Sequence, residues 1–594
     1  MGAMSVNADI ARLLAEMAEM MEVLGENRFR VAALERAARV IAGLGQDLGS
    51  LAEDRSALTA IDGVGEKIAN KIQEFVRTGR ITEHDEYAAK IPAGLLDVLR
   101  LPGLGPKTVG ILWREKGVES IADLERIITD GSILDLPRMG EKAVGKISAA
   151  IAFARTSHGR TPLGRAAPVV SRIIERLGKA PGVQRVVCAG SFRRGRDTVG
   201  DLDILASGED AESIGAAFRD SAGVTGVLAA GATKSSVRMA LDPDKPDRRI
   251  QVDLRVVPDE AFGAALLYFT GSKDHNVRLR ERAIERGMTL NEYGLFRHDD
   301  RAMKQPPQER GVTPIASKTE ADIYAALGLP ELPPEIREDR GELALERAPA
   351  LIELGDIRAE LHAHTTASDG KLSIEELARE AKRRGFHTIA VTDHSGSQTI
   401  AHGLSSERLR AHVAAIHEAN AKIKGIAILA GAEVDILADG SLDYDDDTLA
   451  LLDVVVASPH WALTQKPGPA TTRLLRAIEH PLVDIIGHPT GRLIGKREGL
   501  SPAMDELAAA AAEHDTALEI NAHWMRLDLR DAHVRVAVDA GAWLAIDCDV
   551  HAASDFDNLR FGVTTGRRGW LTADRCVNTW TARRLTTWLK KRRR

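Results

Sequence analysis

Three aspartates carry the first chemistry visible in this chain. Asp201 and Asp203 flank Leu202 in "GSFRRGRDTVGDLDIL", and Asp253 lies in "RRIQVDLRVVP". Residues two apart in a strand share a face, so Asp201 and Asp203 stand side by side. Paired carboxylates repel unless a cation lies between them. With Asp253 as a third acid, the set suits two Mg2+ (or Mn2+) ions facing substrate phosphates. Gly190 and Ser191 open a phosphate-facing turn, and Arg194 offers charge to the outer phosphates. This is nucleotidyl transfer: the ions activate a hydroxyl and stabilise the departing pyrophosphate.

A second set fills the other half of the chain. Seven apolar runs, "IRAELHAH", "TIAVTDH", "IAILAGAEVDI", "LDVVVASPH", "VDIIGHPT", "ALEINAH" and "AWLAIDCDVH", each close on ligand-type residues. The candidates are His362, His364, Asp369, His394, Glu433, His460, His488, Asp549 and His551. They exceed the needs of one ion, which implies two or three, with Glu433 placed by charge to bridge. Imidazole with carboxylate suits Zn2+, Mn2+ or Fe2+ better than Mg2+. His402 and His523 read as neighbours of this set.

Certain elements must position these residues. "QRVVCAG" and "GDLDILAS" read as strands around the "GSFRRG" turn, after a helix in "PLGRAAPVVSRIIERLG". The seven later runs alternate with helical patterns such as "SIEELAREAKRRGF", which predicts a parallel sheet closing into a barrel. Ligands at strand C-terminal ends fit barrel chemistry. Nearer the start, "IDGVGEKIANKI", "LPGLGPKTVGIL" and "LPRMGEKAVGKI" repeat one pattern, apolar–turn–Gly-x-Gly-x-Lys–helix, with Arg138 replacing a glycine in the third copy. Glycines allow a tight turn, and the amides of the following helix start suit a phosphate. Gly63, Gly65, Lys67, Gly103, Gly105 and Lys107 are the candidate phosphate contacts. The region to about residue 150 reads as all-helical.

These motifs resemble known families. The three repeats resemble the helix-hairpin-helix, which grips the DNA backbone. "LLYFTGSKDHNVRLRERAIERGMTLNEYGLF" resembles the thumb of the DNA polymerase beta-like, family X DNA polymerases. The resemblance implies that Tyr268, Phe269 and Gly271 pack on the incoming sugar and Asn276 reads the base edge. It also implies that Arg280 meets the template and that Gly190, Ser191, Arg194 and Gly200 bind triphosphate. Asp201, Asp203 and Asp253 become the catalytic aspartates, Asp253 assisting deprotonation of the primer hydroxyl. Lys71 matches the Schiff-base lysine of a deoxyribose-phosphate lyase, with Lys67 and Arg30 near a 5′-phosphate. "HAHTTASDG", "TDH", "GAEVD", "SPH", "GHPTGR" and "DVH" resemble the PHP domain, in the version fused to bacterial family X polymerases. That implies 3′-5′ exonuclease, 3′-end processing or abasic-site endonuclease activity, with Arg492 and Arg526 holding DNA phosphate. Cys548 stands where a serine is expected.

The expected architecture is multidomain: a helical helix-hairpin-helix N-terminal region, an α+β nucleotidyltransferase palm with thumb, and a C-terminal α/β distorted (βα)7 PHP barrel. The divisions read as 1–88 lyase-like with helix-hairpin-helix, 89–150 helix-hairpin-helix, 151–263 palm, 264–335 thumb, 336–356 linker and 357–594 PHP domain. The linker is inferred from the charged "PPEIREDRGELALERAPALIELGDI".

The chain of 594 residues is too long for one core, and its net charge of −7 places any nucleic-acid binding in local patches. No apolar run reaches the roughly 18 residues of a membrane span. The three cysteines have neither zinc-ribbon nor disulfide spacing. "MGAM" reads as a leftover of cloning without a signal peptide, and the basic end "KKRRR" as a solvated helix end. A monomer in the bacterial cytoplasm, acting on gapped or nicked DNA and deoxynucleoside triphosphates in base excision repair, is expected. The alternative keeps the polymerase and makes the barrel a silent, structural metal module. A non-catalytic gap binder and a small-molecule nucleotidyltransferase fit the aspartates, repeats and thumb less well.

Overall fold

The computed structural model describes residues 6–591 except 43–47, 53, 62, 100, 102–103, 138, 142, 146, 149–150, 152–159, 243–244 and 299–305. Two compact units divide the chain: Met1–His158 with Gly495–Arg497, and Gly159–Ile494 with Glu498–Arg594.

Among its described residues the first unit contains helices and no strand. Helix Val6–Leu24 lays Ile10, Leu14, Met17 and Met21 against Val31, Leu34 and Ile41 of Arg28–Ala42. This is the i, i+3/i+4 spacing that gives a helix one apolar stripe. The three sequence repeats are repeats of structure. The Ile61, Leu101 and Leu136 carbonyls accept from the Val64, Leu104 and Met139 amides. Gly65, Gly105 and Gly140 then accept from Ala69, Val109 and Val144 as each next helix begins.

In the second unit, a five-stranded sheet runs in the order Val183–Cys188, Asp201–Gly208, Lys245–Val257, Lys234–Asp242, Val224–Ala230. Only the pair Asp201–Gly208 and Lys245–Val257 is parallel. Alternation assigns the faces. Leu202, Ile204 and Ala206 join the core under helices Leu163–Gly178 and Ala211–Arg219. Leu205 packs on the other face with Phe262 and Ala265 of helix Phe262–Thr270. The aspartates share that second face. "GSFR" forms a short helix, Gly190–Arg193, rather than a plain turn.

The segment expected to be a linker, 336–356, is packed into two cores: Ile336, Leu343, Leu345 and Leu351 join that of the thumb and Ile352 that of the barrel. Ile336, Arg337, Glu342 and Ile352 are buried. Arg337 donates to the Leu332 carbonyl and Glu320. Glu342 accepts from the His275 ring at 2.7 Å and from the Asp339 and Arg340 amides. The charges that suggested solvent are satisfied internally, and buried ionic groups persist only on such terms.

All seven expected barrel runs are strands: Ala359–Glu360, Thr388–Val391, Ala427–Asp435, Val454–Ser458, Ile485–Ile486, Ala517–Asn521 and Trp543–Asp547. They pair in sequence order, every pair parallel. The barrel nearly closes through an Ala363–Val550 bridge, with the His364 amide donating to the Val550 carbonyl at 2.8 Å. Trp580, Leu585, Trp588 and Leu589 near the C-terminus join the core made by Leu361, Val456 and Ile485. Lys590 is exposed as expected, and Arg592, Arg593 and Arg594 lie outside the described residues.

Candidate functional site

The palm site follows from strand register. Asp203 lies opposite Asp253 on the parallel neighbour, and Asp201 is two residues away on the same face. Burial, then Asp201 and Asp253, push the Asp203 carboxyl up to about 6, and Arg194 and Lys234 offset only part of this. Oxygen donors in mutual repulsion are the donor set that divalent cations satisfy. Gly190 has φ +61°, and a Cβ there would collide with the Asp203 carboxylate. A side chain is excluded where backbone and acid meet.

A cleft of about 620 Å3 opens on this face, a size within the usual range for a small-molecule site. Gly190, Ser191, Arg194, Gly200, Asp201, Asp203, Tyr268, Phe269, Gly271, Asn276 and Arg280 all line it, and Asp253 lines an adjoining pocket with Asp203 and Lys234. Tyr268 and Phe269 meet edge to face, centroids 5.2 Å apart. Asn276 Nδ2 donates to the Tyr268 carbonyl at 2.7 Å, and Arg280 Nε to the Asn276 carbonyl at 3.3 Å. Arg194 is not free: Nε meets Glu338 at 3.0 Å and Nη1 donates to the Thr270 carbonyl. Beside it, Arg193 is bidentate on Glu320 at 2.8 and 2.7 Å. Burial opposes ionisation of Glu320, but Arg193 and Arg337 outweigh it and hold the carboxyl at about 2.

The barrel gathers its nine candidates at one end. Three sets hold their donor atoms close enough for a shared ion: His364, Asp369, His394 and His551; His362, His364 and Asp549; His394, Glu433 and His460. His488 joins through Glu433, Nε2 to Oε1 at 2.9 Å. Glu433 Oε2 lies 2.8 Å from His394 Nδ1, 3.4 Å from His362 Nε2 and 3.6 Å from His364 Nε2. Burial, His551 and His394 push His364 down to about 4, keeping its ring neutral with a lone pair. Buried atoms without a hydrogen-bond partner converge here: His362 Nε2, both His364 nitrogens, His394 Nδ1, Glu433 Oε2 and Asp549 Oδ1. Orphaned donors of this kind fit metal ions and are costly without them.

Outer carboxylates orient the rings. Glu519 accepts from His362 Nδ1 at 2.6 Å, and Asp435 takes His460 Nδ1, Gln398 and Trp461 Nε1. Both lie inside runs quoted above, "ALEINAH" and "GAEVD", and no local signal marks them, because only the fold aims them at a ligand. Arg526 Nε sits 3.7 Å from Asp549, at the half-exposed side with His551 and Asp369. Arg492 corrects its expectation. It is buried and spent on the Arg526 and Leu527 carbonyls and on Asp197, so it braces the fold. His402 is exposed, and His523 stacks on Trp524. Cys548 is buried with its amide on Glu360, so a thiol costs the set no ligand.

In the first unit, Gly63 has φ +78°, while Gly65 and Gly105 cap helices Glu66–Thr78 and Pro106–Lys116. Lys67 is exposed and Lys107 lies 3.7 Å from Glu22. Gly103 lies outside the described residues, as does Arg138. Lys71 is largely buried against Glu83, which also takes Arg30 at 2.9 Å. Cys188, Cys548 and Cys576 are free and buried.

Four family models match: a helix-hairpin-helix domain over residues 5–81, a SAM-like helix-hairpin-helix tandem over 95–152, the DNA polymerase beta thumb over 265–338 and the PHP domain over 360–523. The chain is 37% identical to the DNA polymerase/3'-5' exonuclease PolX of Bacillus subtilis (strain 168), over 98% of this chain and 99% of that one. It is 27% identical to DNA polymerase lambda of Rattus norvegicus over 57% of each chain. A probable phosphatase of Thermoanaerobacter sp. (strain X514) is 28% identical over 39% of this chain and 94% of its own length.

Proposed function

The chain belongs to the family X DNA polymerases that carry a C-terminal PHP domain, and on that premise we propose a gap-filling DNA polymerase whose barrel removes nucleotides from 3′ ends. The observation that carries it is the presence of two separate ion-type clusters in one chain, one of carboxylates below a nucleotide-sized cleft and one of histidines and acids at a barrel end. Among the described residues, no helix is long and apolar enough to cross a membrane.

In the palm, Asp201, Asp203 and Asp253 hold two Mg2+ or Mn2+ ions. Ser191, Gly190, Gly200 and Arg194 take the triphosphate. Tyr268, Phe269 and Gly271 pack on the sugar, Asn276 faces the base edge and Arg280 the template. Asp253 assists removal of the primer hydroxyl proton. In the barrel, the nine residues from His362 to His551 hold two or three Zn2+, Mn2+ or Fe2+ ions. Such ions supply a water-derived nucleophile and charge neutralisation. Arg526 meets the scissile phosphate, and Glu519 and Asp435 fix the rings.

The hairpins hold the DNA backbone through Gly63, Gly65, Lys67, Gly103, Gly105 and Lys107. Lys71 is the lyase nucleophile: its partly desolvated amine beside Glu83 and Arg30 supports Schiff-base chemistry on a 5′-phosphate terminus. We propose the same finer divisions, except that 336–351 packs with the thumb core and Ile352 with the barrel core. Three free, buried thiols support a reducing bacterial cytoplasm, and a monomer suffices for both sites.

The test follows a 5′-labelled primer on one-nucleotide-gapped DNA with Mn2+. Growth with nucleotides and shortening without them are expected. Growth without shortening leaves the barrel a structural metal module.

A further inference from the structure

We propose that Glu338 holds the place of the nucleotide triphosphate on Arg194, and that Arg568, reaching in from the barrel, decides how readily Glu338 yields it. This rests on the reading of Arg194 as a triphosphate contact.

Glu338 lines the same cleft as Arg160, Arg194 and Arg196. A carboxylate there repels a polyanionic ligand unless other cations share its charge. It is gripped from three sides: Arg194 Nε and Arg568 Nη1 each meet Oε1 at 3.0 Å, and Arg196 Nη1 lies 3.7 Å from Oε2. Its side chain is only 11% exposed. Burial would raise its carboxyl, but Arg568 and Arg194 hold it below the usual range, as an anion.

Arg568 ends helix Leu559–Arg568 of the barrel and is buried. It donates to Asp531 at 2.7 Å and also to the Arg194 carbonyl at 2.6 Å. One barrel guanidinium thus holds both the backbone of Arg194 and its counter-ion. The phosphate loop lies flush on the same helix. Gly195 has φ +65°, and a Cβ there would collide with Thr564. Arg492 takes Asp197 at 3.1 Å.

When triphosphate binds, Arg194 exchanges carboxylate for phosphate while Glu338 stays paired with Arg568 and Arg196. Without Arg568, a nearly buried carboxylate would lean on Arg194, because an unpaired buried charge is costly. Glu338 and Arg568 are therefore positioning residues with opposite effects on nucleotide binding.

The experiment measures KM and kcat for one nucleotide inserted into gapped DNA. Glu338→Gln lowers KM about fivefold and Arg568→Ala raises it about fivefold, with kcat near wild type in both. The double variant returns most of the way to Glu338→Gln, because the part of the Arg568 effect carried by that carboxylate is lost and only its hold on the Arg194 carbonyl remains. Circular dichroism and the thermal midpoint check folding. If Arg568→Ala does not fold, Arg568→Lys gives a smaller rise of the same sign.

An unchanged or raised KM in Glu338→Gln overturns the proposal. So does a double variant that keeps the raised KM, which is the signature of packing alone. Arg194→Ala separates the two readings. If it leaves KM unchanged, the triphosphate assignment falls and takes this proposal with it. If it raises KM while Glu338→Gln does nothing, only this proposal falls.

Discussion

The palm and barrel clusters both draw carboxylates together, but by different means. The palm places three acids on one face of an open sheet, under a wide cleft, with Asp201 exposed and Asp203 only half-buried. On the proposed reading its charge is balanced by what arrives: ions with a phosphate-bearing substrate. The barrel places six imidazoles and three acids at strand ends, with His362 and His364 fully buried and His488 and Glu433 nearly so. Its ligands are held by outer carboxylates and neutralise each other in part before any substrate binds. A cluster made by two adjacent strands is assembled with its substrate, whereas one made by six strand ends is built by folding.

The largest effect tests whether the two are independent. Asp203→Ala is expected to lower synthesis by about a thousandfold or more while primer shortening persists, and His364→Ala to do the reverse. Loss of both activities in either variant would break the comparison.

Stability gives a second test. Mn2+ or Zn2+ added to metal-free protein should raise the unfolding temperature, by roughly 4 kcal/mol of stabilisation when free ion exceeds Kd about a thousandfold. Glu433→Gln should abolish that shift and Asp203→Ala should leave it. The reverse pattern would mean that the palm, not the barrel, is the prebuilt site.

Acid provides a third. Glu320, held by Arg193 and Arg337, keeps its carboxyl at about 2 against an ordinary 4.5. Its stabilisation is complete above pH 4.5 and is lost as pH falls toward 2, because between those values the unfolded chain binds the extra proton. Glu320→Gln should cost about 3 kcal/mol at pH 7 and almost nothing near pH 2. Denaturant melts across that window measure it, and an unchanged acid limb would remove Glu320 as the brace of the polymerase half.

The smallest concerns Cys548. Its buried thiol faces the Phe556 carbonyl and the Glu360 carboxylate. Cys548→Ser should change stability by about 1 kcal/mol or less and leave shortening intact. Loss of shortening would make this position part of the cluster.

Local pattern made much of this legible. Asp-Leu-Asp in a strand fixes two acids on one face by the two-residue period. Apolar runs closing on ligand-type residues predicted seven parallel strands, six of which carry the nine candidates at their ends, and three glycine-lysine repeats predicted three equivalent turns. What misled was charge. The segment after Leu332 looked solvated because it is rich in Glu and Arg, but Arg337 and Glu342 have buried partners from distant elements. Arg492 looked like a phosphate ligand for the same reason. A charged side chain in sequence does not reveal whether its counter-ion is phosphate, water or a carboxylate far along the chain.

The sequence alone determined the ligand types, their strand and helix positions and the two chemistries, because periodicity and donor chemistry are local. Tertiary structure decided which donors lie close enough to share an ion, that Glu519 and Asp435 aim the rings, and that a barrel arginine reaches the counter-ion of Arg194. Those are contacts between residues far apart in sequence, and only packing of the whole unit brings them within hydrogen-bond distance.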